Sequence, residues 1–253
     1  MESGPFQLPA DVVEMCDVAK RIVHDELLPL EPQYLQHPDH SFGTNQTATN
    51  LRLVFGQGTV DHLTKISRDT GLWYLMVPEE HGGSGLSMLA QIAIMEQFNY
   101  TAIPFPFAHV ANILYKCEGD QVDRFLKPVI EGEKITSFAQ TEANAGSDPG
   151  GMMQTNAIQD GDEWILNGTK MWISGAAQSD IIMVQAVTDK ERRQRGGITM
   201  FLVDRNNPGV TVEEPGIQTW LGTRPSQNIV HFDDCRVPAA DILGEIGNGF
   251  RLG

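Results

Sequence analysis

Apolar residues recur at helical spacing through the first half of the chain, where alternation of apolar and polar residues is scarce. Over residues 12–23 the apolar side chains fall at i, i+3, i+4 and i+7, which predicts a helix with one buried face. Ser87 is the expected N-cap of a later helix, and Pro128 is expected to stop or kink the last one. The same spacing predicts three more helices, over residues 50–70, 87–98 and 120–130.

Beyond about residue 135 the apolar pattern changes to period two. Short runs of β-branched and aromatic residues are bounded by Gly, Pro, Asn or Asp, which is typical of strands in a small antiparallel barrel. These runs cover residues 163–168, 181–187, 198–203 and 228–232, with turn signals at 160–162 and 206–209. The sequence therefore predicts an α+β fold, in which an N-terminal α-helical domain (residues 1–134) is followed by a small antiparallel β-barrel domain (residues 135–241).

The composition is that of an ordinary globular protein, and its charge argues against several kinds of partner. The 253 residues carry a formal net charge of −15, so nucleic acid, which is bound through a surplus of Lys and Arg, is not an expected partner. No apolar run approaches the roughly 20 residues that span a bilayer, so no membrane span is expected. Residues 1–5 resemble neither a signal peptide nor a transit peptide, which makes a cytoplasmic location the expectation.

Cysteine and histidine patterns argue against a disulfide framework and a metal site. The three cysteines, Cys16, Cys117 and Cys235, are far apart and odd in number. The seven histidines show no paired spacing of the kind that binds zinc. The cysteines are therefore expected to be small buried side chains, and no metal is expected.

Two short segments concentrate groups that suit a flat, hydrogen-bonding ligand with phosphate groups. Residues 138–148, Phe-Ala-Gln-Thr-Glu-Ala-Asn-Ala-Gly-Ser-Asp, combine hydroxyl, amide and glycine groups. Residues 172–174, Trp-Ile-Ser, place an indole beside a hydroxyl. Taken alone, the first segment also suits a loop with a capping turn at Asp148, and an isolated Trp172 suits core packing.

Both segments resemble the flavin-binding signatures of the acyl-CoA dehydrogenase family. Ordered motifs at residues 77–87, 119–133 and 231–238 also resemble that family, so the resemblance covers nearly the whole chain. It implies a helical domain and a β-barrel of acyl-CoA dehydrogenase type, with FAD as the cofactor. The residues that it implies for FAD binding are Phe138, Gln140, Thr141, Gly146, Ser147, Trp172, Ile173 and Ser174.

The resemblance also implies what parts of this site do. Trp172 would pack beside the isoalloxazine ring, Ser174 would hydrogen-bond the N5 edge, and Gly146 would allow close approach of the backbone. Gln140 departs from the family pattern, which has a small apolar residue at this position. Because Gln140 adds a polar group near the ring, the resemblance does not determine the reduction potential of the flavin or the range of substrates.

A basic loop at residues 190–195 supplies positive charge in an acidic protein. A loop between two strands is usually a solvated hairpin. Coenzyme A carries phosphates, however, and the family places the CoA nucleotide near this part of the barrel. Ser147, Arg192, Arg193 and Arg195 are therefore candidate contacts for an acyl-CoA substrate.

The implied reaction is FAD-dependent α,β-dehydrogenation of an acyl-CoA thioester to a trans-2-enoyl-CoA, as in fatty acid β-oxidation. In the family the catalytic base lies in a C-terminal helical domain, and residues 242–253 resemble its start, so the base is expected beyond residue 253. The implied partners are an electron transfer flavoprotein, as electron acceptor, and further subunits of a homo- or hetero-oligomer. Two alternatives stay open: a non-catalytic subunit or scaffold of a related complex, and an oxygen-using relative such as an acyl-CoA oxidase or flavin monooxygenase.

Overall fold

A computed structural model describes residues 8–38, 47–218 and 227–253, which fall into two compact units divided between Ala108 and His109. Residues 1–5 and one of the seven histidines, His40, lie outside the described residues. No described helix is long and apolar enough to cross a membrane.

The first unit is built from helices, and its described residues include no strand. Short helical turns at Val23–Leu27, Leu28–Leu30, Leu72–Tyr74 and Glu79–His81 join the longer elements. Apolar side chains from these elements meet in one core, which includes Leu27, Tyr34 and Ile94. The α-helices are α1 (Ala10–Ile22), α2 (Glu31–Gln36), α3 (Thr47–Phe55), α4 (Gln57–Asp69) and α5 (Met88–Phe98).

Local signals set the ends of these helices. Ser87 is the N-cap of α5, as predicted, and its hydroxyl accepts a hydrogen bond from the Ala90 N–H at 3.3 Å. The single helix predicted over residues 50–70 is wrong, because the chain forms two helices there, α3 and α4. They are separated by Gly56, whose φ of 85° is left-handed and cannot continue a right-handed helix.

The second unit contains a sheet, which follows the helical part as the predicted α+β fold requires. All four predicted strands are present, and three of them are longer than predicted, one by a single residue. Four further strands, β1, β2, β6 and β8, were not predicted. The strands are β1 (Thr136–Ala139), β2 (Asn156–Asp160), β3 (Glu163–Ser174), β4 (Ile181–Val187), β5 (Ile198–Asp204), β6 (Val210–Val212), β7 (Gln227–Pro238) and β8 (Ile242–Leu243).

The described strands form one sheet in the order β6-β7-β3-β2-β4-β5-β8, with β1 also beside β4. Most neighbours are antiparallel, as predicted, but β1 and β2 pair with β4 in parallel. The β2–β3 hairpin lies between β1 and β4 in the chain, so β4 returns in the direction of β1. The core of this unit contains Ala139, Trp164, Ile173, Val184 and Phe201.

A helical segment precedes the sheet within the second unit. It consists of a π-helical turn, Val122–Leu126, followed by α6 (Lys127–Ile130). Pro128 does not stop the helix, because it lies in the first turn of α6, where its missing N–H is tolerated. Two further short helices, α7 (Pro149–Met152) and α8 (Gly249–Leu252), complete the unit.

Gln121 attaches this helical segment to the sheet unit. Its amide Nε2 donates to the carbonyls of Ala240 and Ile242, each at 2.7 Å. The helical segment is thus hydrogen-bonded to the chain at the start of β8. The limits predicted from sequence, 1–134, 135–241 and 242–253, stay predictions.

The three cysteines are free and buried, as expected. Burial raises the pKa of the Cys117 and Cys235 thiols to about 12, so both stay protonated near neutral pH. Within the parts of the chain that the structure describes, no group of three or more His, Cys, Asp or Glu side chains could hold a metal ion.

Candidate functional site

The two segments that carry the candidate flavin residues meet at the end of β1. The backbone N–H of Met171 donates to the carbonyl of Thr141 at 2.9 Å. Met171 directly precedes Trp172, and Thr141 lies two residues beyond the end of β1. This hydrogen bond joins two segments that are about thirty residues apart in the chain into one site.

Trp172 projects from a bulge in β3. Lys170 pairs with Val230 of β7, and Ile173 pairs with Asn228, so β3 contains one extra residue between these pairs. Trp172 itself has a φ of 64°, an uncommon conformation for a bulky residue. Backbone strain of this kind is concentrated at functional sites.

The side chain of Trp172 is not part of the core. It is 49% exposed, whereas Trp164 on the same strand is 6% exposed and packs within the core of the unit. The core-packing alternative for Trp172 therefore disagrees with its burial. An aromatic face this exposed is available to a ligand or to another surface.

The neighbours of Trp172 differ from each other in what they offer a ligand. The side chain of Ile173 is 1% exposed and belongs to the core, so only its backbone is available. Ser174 is the last residue of β3, and its side chain is exposed. The hydroxyl of Ser174 is therefore accessible to a ligand.

On β1 and just beyond it, Phe138 and Gln140 alternate with the buried residues Ser137 and Ala139. The amide Nε2 of Gln140 donates to Oε1 of Gln185 at 2.8 Å.

Gln185 continues this chain of hydrogen bonds. Its side chain is fully buried, and its Nε2 donates to the carbonyl of Gly249 at 2.9 Å. Gln140 is thus held in one orientation and is linked through Gln185 to the start of α8. Buried amides that are satisfied in this way make a segment rigid.

A buried ion pair, Lys170 with Glu142, connects residues 140–142 to strand β3. Lys170 is 0% exposed, and its Nζ lies 2.9 Å from Oε1 of Glu142 and 3.0 Å from the carbonyl of Gln140. The Glu142 carboxylate also accepts hydrogen bonds from the backbone N–H groups of Gln154, at 2.7 Å, and Thr155, at 2.9 Å. The ion pair therefore connects three separate stretches of backbone.

The pKa values of this pair reflect burial and mutual attraction. Burial lowers the pKa of Lys170 to about 8, although the charge of Glu142 opposes the shift. Burial alone would raise the pKa of Glu142, but Lys170 and the hydrogen bonds outweigh it and hold that pKa below its usual range. Glu142 is therefore a carboxylate at neutral pH.

The sequence analysis missed the role of this pair. Glutamate and lysine are almost never buried, so neither residue type suggests an interior position. One signal was present in the sequence: Lys170 falls in phase with Trp164 and Leu166 on the inward side of a period-two pattern.

The loop after Glu142 leaves room for a ligand. Gly146 and Ser147 are both exposed, and a Cβ added at Gly146 would meet no atom within 4 Å. The chain itself thus has no steric need for glycine there. Asp148 is the N-cap of α7 and accepts a hydrogen bond from the Gly151 N–H at 2.9 Å, so the capping turn considered as an alternative is present.

The basic loop adjoins the helix that follows Ser147. Arg193 donates from Nη1 to the Met153 carbonyl, just after α7, at 3.0 Å. A Cβ added at Gly150 would come within 2.7 Å of the Cβ of Gln194, so the two segments touch. Arg193 is thus partly occupied in fixing the loop, whereas the two other candidate arginines, Arg192 and Arg195, are exposed.

Comparison with known proteins identifies the two parts of the chain. Residues 137–235 match the model of the acyl-CoA dehydrogenase middle domain, and residues 40–133 match that of the acyl-CoA dehydrogenase N-terminal domain.

Individual relatives agree with these matches. The chain is 31% identical over 253 residues to the mitochondrial short-chain specific acyl-CoA dehydrogenase of Rattus norvegicus, covering 97% of this chain and 56% of that protein. It is 30% identical over 257 residues to (R)-benzylsuccinyl-CoA dehydrogenase of Thauera aromatica, covering 97% of this chain and 60% of that protein. A solved structure of a Mycobacterium abscessus protein assigned to the acyl-CoA dehydrogenases superimposes with a TM-score of 0.81 at 26% identity, covering 98% of this chain and 63% of that one.

The chain thus spans little more than half the length of the two curated relatives. Both of its parts match the same family, in the same order and over most of their length. The chain belongs to the acyl-CoA dehydrogenase family.

Proposed function

We propose that this protein is an FAD-dependent oxidoreductase that converts an acyl-CoA thioester to a trans-2-enoyl-CoA. The observation that carries the proposal is the joined site at the end of β1, where Thr141 is bonded to the bulge from which Trp172 projects. Membership of a family of flavoproteins supports it. When bound, FAD would supply the acceptor for the hydride that leaves the β-carbon.

The residues present suit this cofactor. Trp172 offers an exposed aromatic face for a flat ring, and the Ser174 hydroxyl lies two residues further along the same strand. The open space beside Gly146 and the exposed hydroxyl of Ser147 suit phosphate or ribityl oxygens. Along the ring edge we assign Phe138, Gln140, Thr141 and the backbone of Ile173.

For the substrate we assign Ser147 and the basic loop to the CoA phosphates. Arg192 and Arg195 supply exposed positive charge, and Arg193 fixes the loop through its bond to the Met153 carbonyl. In a protein with a net charge of −15, such local positive charge is needed to attract a polyanion.

The base that takes the α-proton is not assigned to this site. Glu142 is the carboxylate adjacent to Thr141, but it accepts hydrogen bonds from Lys170 and from two backbone N–H groups. A carboxylate so fully occupied is a poor proton acceptor. We therefore propose that the base lies outside this site. As the electron acceptor we propose an electron transfer flavoprotein.

The test uses protein expressed from its complete reading frame and loaded with FAD. Acyl-CoAs of several chain lengths are added without oxygen, and the oxidised-flavin absorbance band and the enoyl-CoA product are followed. We expect at least one acyl-CoA to bleach the flavin and to yield enoyl-CoA.

Other outcomes separate the alternatives. Binding of FAD without reduction by any acyl-CoA would indicate a non-catalytic subunit. Fast reoxidation by oxygen with formation of hydrogen peroxide would indicate an oxidase. A protein that fails to bind FAD would contradict the proposal.

A further inference from the structure

Lys170 and Glu142 form an ion pair in the interior of the sheet unit, with 0% and 7% of their surfaces exposed. Placing two charges in the interior is unfavourable, and an ion pair seldom repays that cost in stability. An apolar pair of similar volume would often stabilise a core as well or better. Stability alone therefore does not account for a charged pair at these two positions.

The pair fixes backbone that an apolar pair could not fix. Nζ of Lys170 binds the carbonyl of Gln140, and the carboxylate of Glu142 binds the N–H groups of Gln154 and Thr155. Each of these contacts is a hydrogen bond to a charged group, which is strong and has a specific geometry. Each contact therefore fixes the position of the backbone group that it binds.

The contacts converge on one short segment, residues 140–142. Strand β3 holds Gln140 and Glu142 through Lys170, and it holds Thr141 through the Met171 N–H. The next residue of β3 is Trp172, at the bulge. The relative placement of the two halves of the candidate flavin site thus depends on contacts made by adjacent residues, Lys170 and Met171.

We propose that Lys170 and Glu142 are positioning residues for the cofactor, which hold residues 140–142 against the Met171–Trp172 bulge in the arrangement that binds flavin. This inference rests on the proposed function, since it assumes that the site binds FAD. Neither residue needs to touch the cofactor. Their effect is transmitted through the backbone of Gln140 and Thr141.

The experiment compares Lys170→Met, Glu142→Gln and the double variant with the wild-type protein. The single variants are expected to raise the Kd for FAD by roughly tenfold or more, which is the effect of losing a hydrogen bond to a charged group. The double variant leaves no unpaired charge in the interior, so it is expected to regain thermal stability but not affinity for FAD. The visible spectrum of bound flavin is expected to shift in all three variants.

Val237→Ala is the matched control. Val237 is 2% exposed and pairs with Trp164 at the far end of β3, away from residues 140–142. Its truncation is expected to lower the melting temperature without changing the Kd or the spectrum of bound FAD. A double variant that binds FAD with wild-type affinity and spectrum would overturn the inference.

Amide hydrogen exchange separates this inference from the proposed function. The N–H groups of Gln154, Thr155 and Met171 are expected to exchange faster in the double variant than in Val237→Ala at equal global stability. Equal exchange in the two variants would overturn the positioning role even if FAD binds. A wild-type protein that binds no FAD would overturn the proposed function, while the exchange data would still show whether the pair orders this segment.

Discussion

Two tryptophans on one strand show how position decides what a residue does. Trp164 is 6% exposed and its ring lies 5.8 Å from that of Phe201 in the core. Trp172 is 49% exposed and has a left-handed backbone conformation. It lies at a bulge that interrupts the pairing of β3 with β7. Eight positions apart, one side chain packs in the core and the other is half exposed, as the flavin contact that we propose for it requires.

We expect Trp172→Ala to leave the cofactor-free fold nearly as stable as the wild type, with a loss below about 1 kcal/mol, because the side chain is half exposed. Trp164→Ala should cost about 3–5 kcal/mol, as core truncations of aromatic residues do. Affinity for FAD or the rate of flavin reduction should fall in Trp172→Ala. Urea unfolding and FAD titration measure both effects. The role assigned to Trp172 is wrong if its truncation destabilises as Trp164→Ala does and leaves FAD binding unchanged in the folded protein.

At the scale of elements, the sequence predicted what repeats regularly and missed what is short or interrupted. Strands β4 and β5 were predicted nearly to their ends because their apolar runs are continuous. Strand β3 was predicted only to residue 168, because the next buried position holds a lysine, Lys170, and the bulge between Lys170 and Ile173 then breaks the alternation. Strands of two to four residues, such as β8, contain too few positions to show a period.

The candidate site likewise has a part that could be predicted from sequence and a part that could not. Its residue types could be predicted from sequence, because Trp172, Ser174, Gly146 and Ser147 resemble a known pattern, although their roles stay predictions. The ion pair of Lys170 with Glu142 could not, because the two residues lie 28 positions apart in the chain and only the tertiary structure brings them together.

The break between α3 and α4 provides a prediction on two glycines. Gly56→Ala should destabilise the protein by about 1 kcal/mol, since its φ of 85° disfavours any side chain although a Cβ would meet no atom within 4 Å. Gly58 lies inside α4, also with no atom within 4 Å of an added Cβ and without a left-handed φ. Gly58→Ala should therefore stabilise by roughly 0.5 kcal/mol. Thermal unfolding of both variants checks the opposite signs, and equal signs would contradict this account of the break.

Across the whole molecule, negative charge dominates. A net charge of −15 repels the polyanion coenzyme A at long range, so any attraction must come from local groups. Two arginines of the second unit, Arg236 and Arg124, are already paired with carboxylates. Arg236 is paired with Asp160 and Glu163, each at 2.9 Å, and Arg124 is paired with Asp241 at 2.7 Å and with Asp120 at 3.1 Å. Arg192 and Arg195 of the basic loop are exposed, and no ion pair is found for them among the described residues.

We therefore expect Arg192→Gln/Arg195→Gln to raise the Kd for coenzyme A by about fivefold at low ionic strength, the effect of two exposed charge contacts. The difference from wild type should shrink toward zero near 1 M salt, where the Debye length is about 3 Å. Arg124→Gln/Arg236→Gln removes the same number of charges from the molecule, but these charges are already paired, so it should leave the Kd nearly unchanged. Calorimetric titration with coenzyme A across ionic strength distinguishes the two. Equal weakening by both double variants would show that only net charge matters, and the basic loop would then be a solvated hairpin.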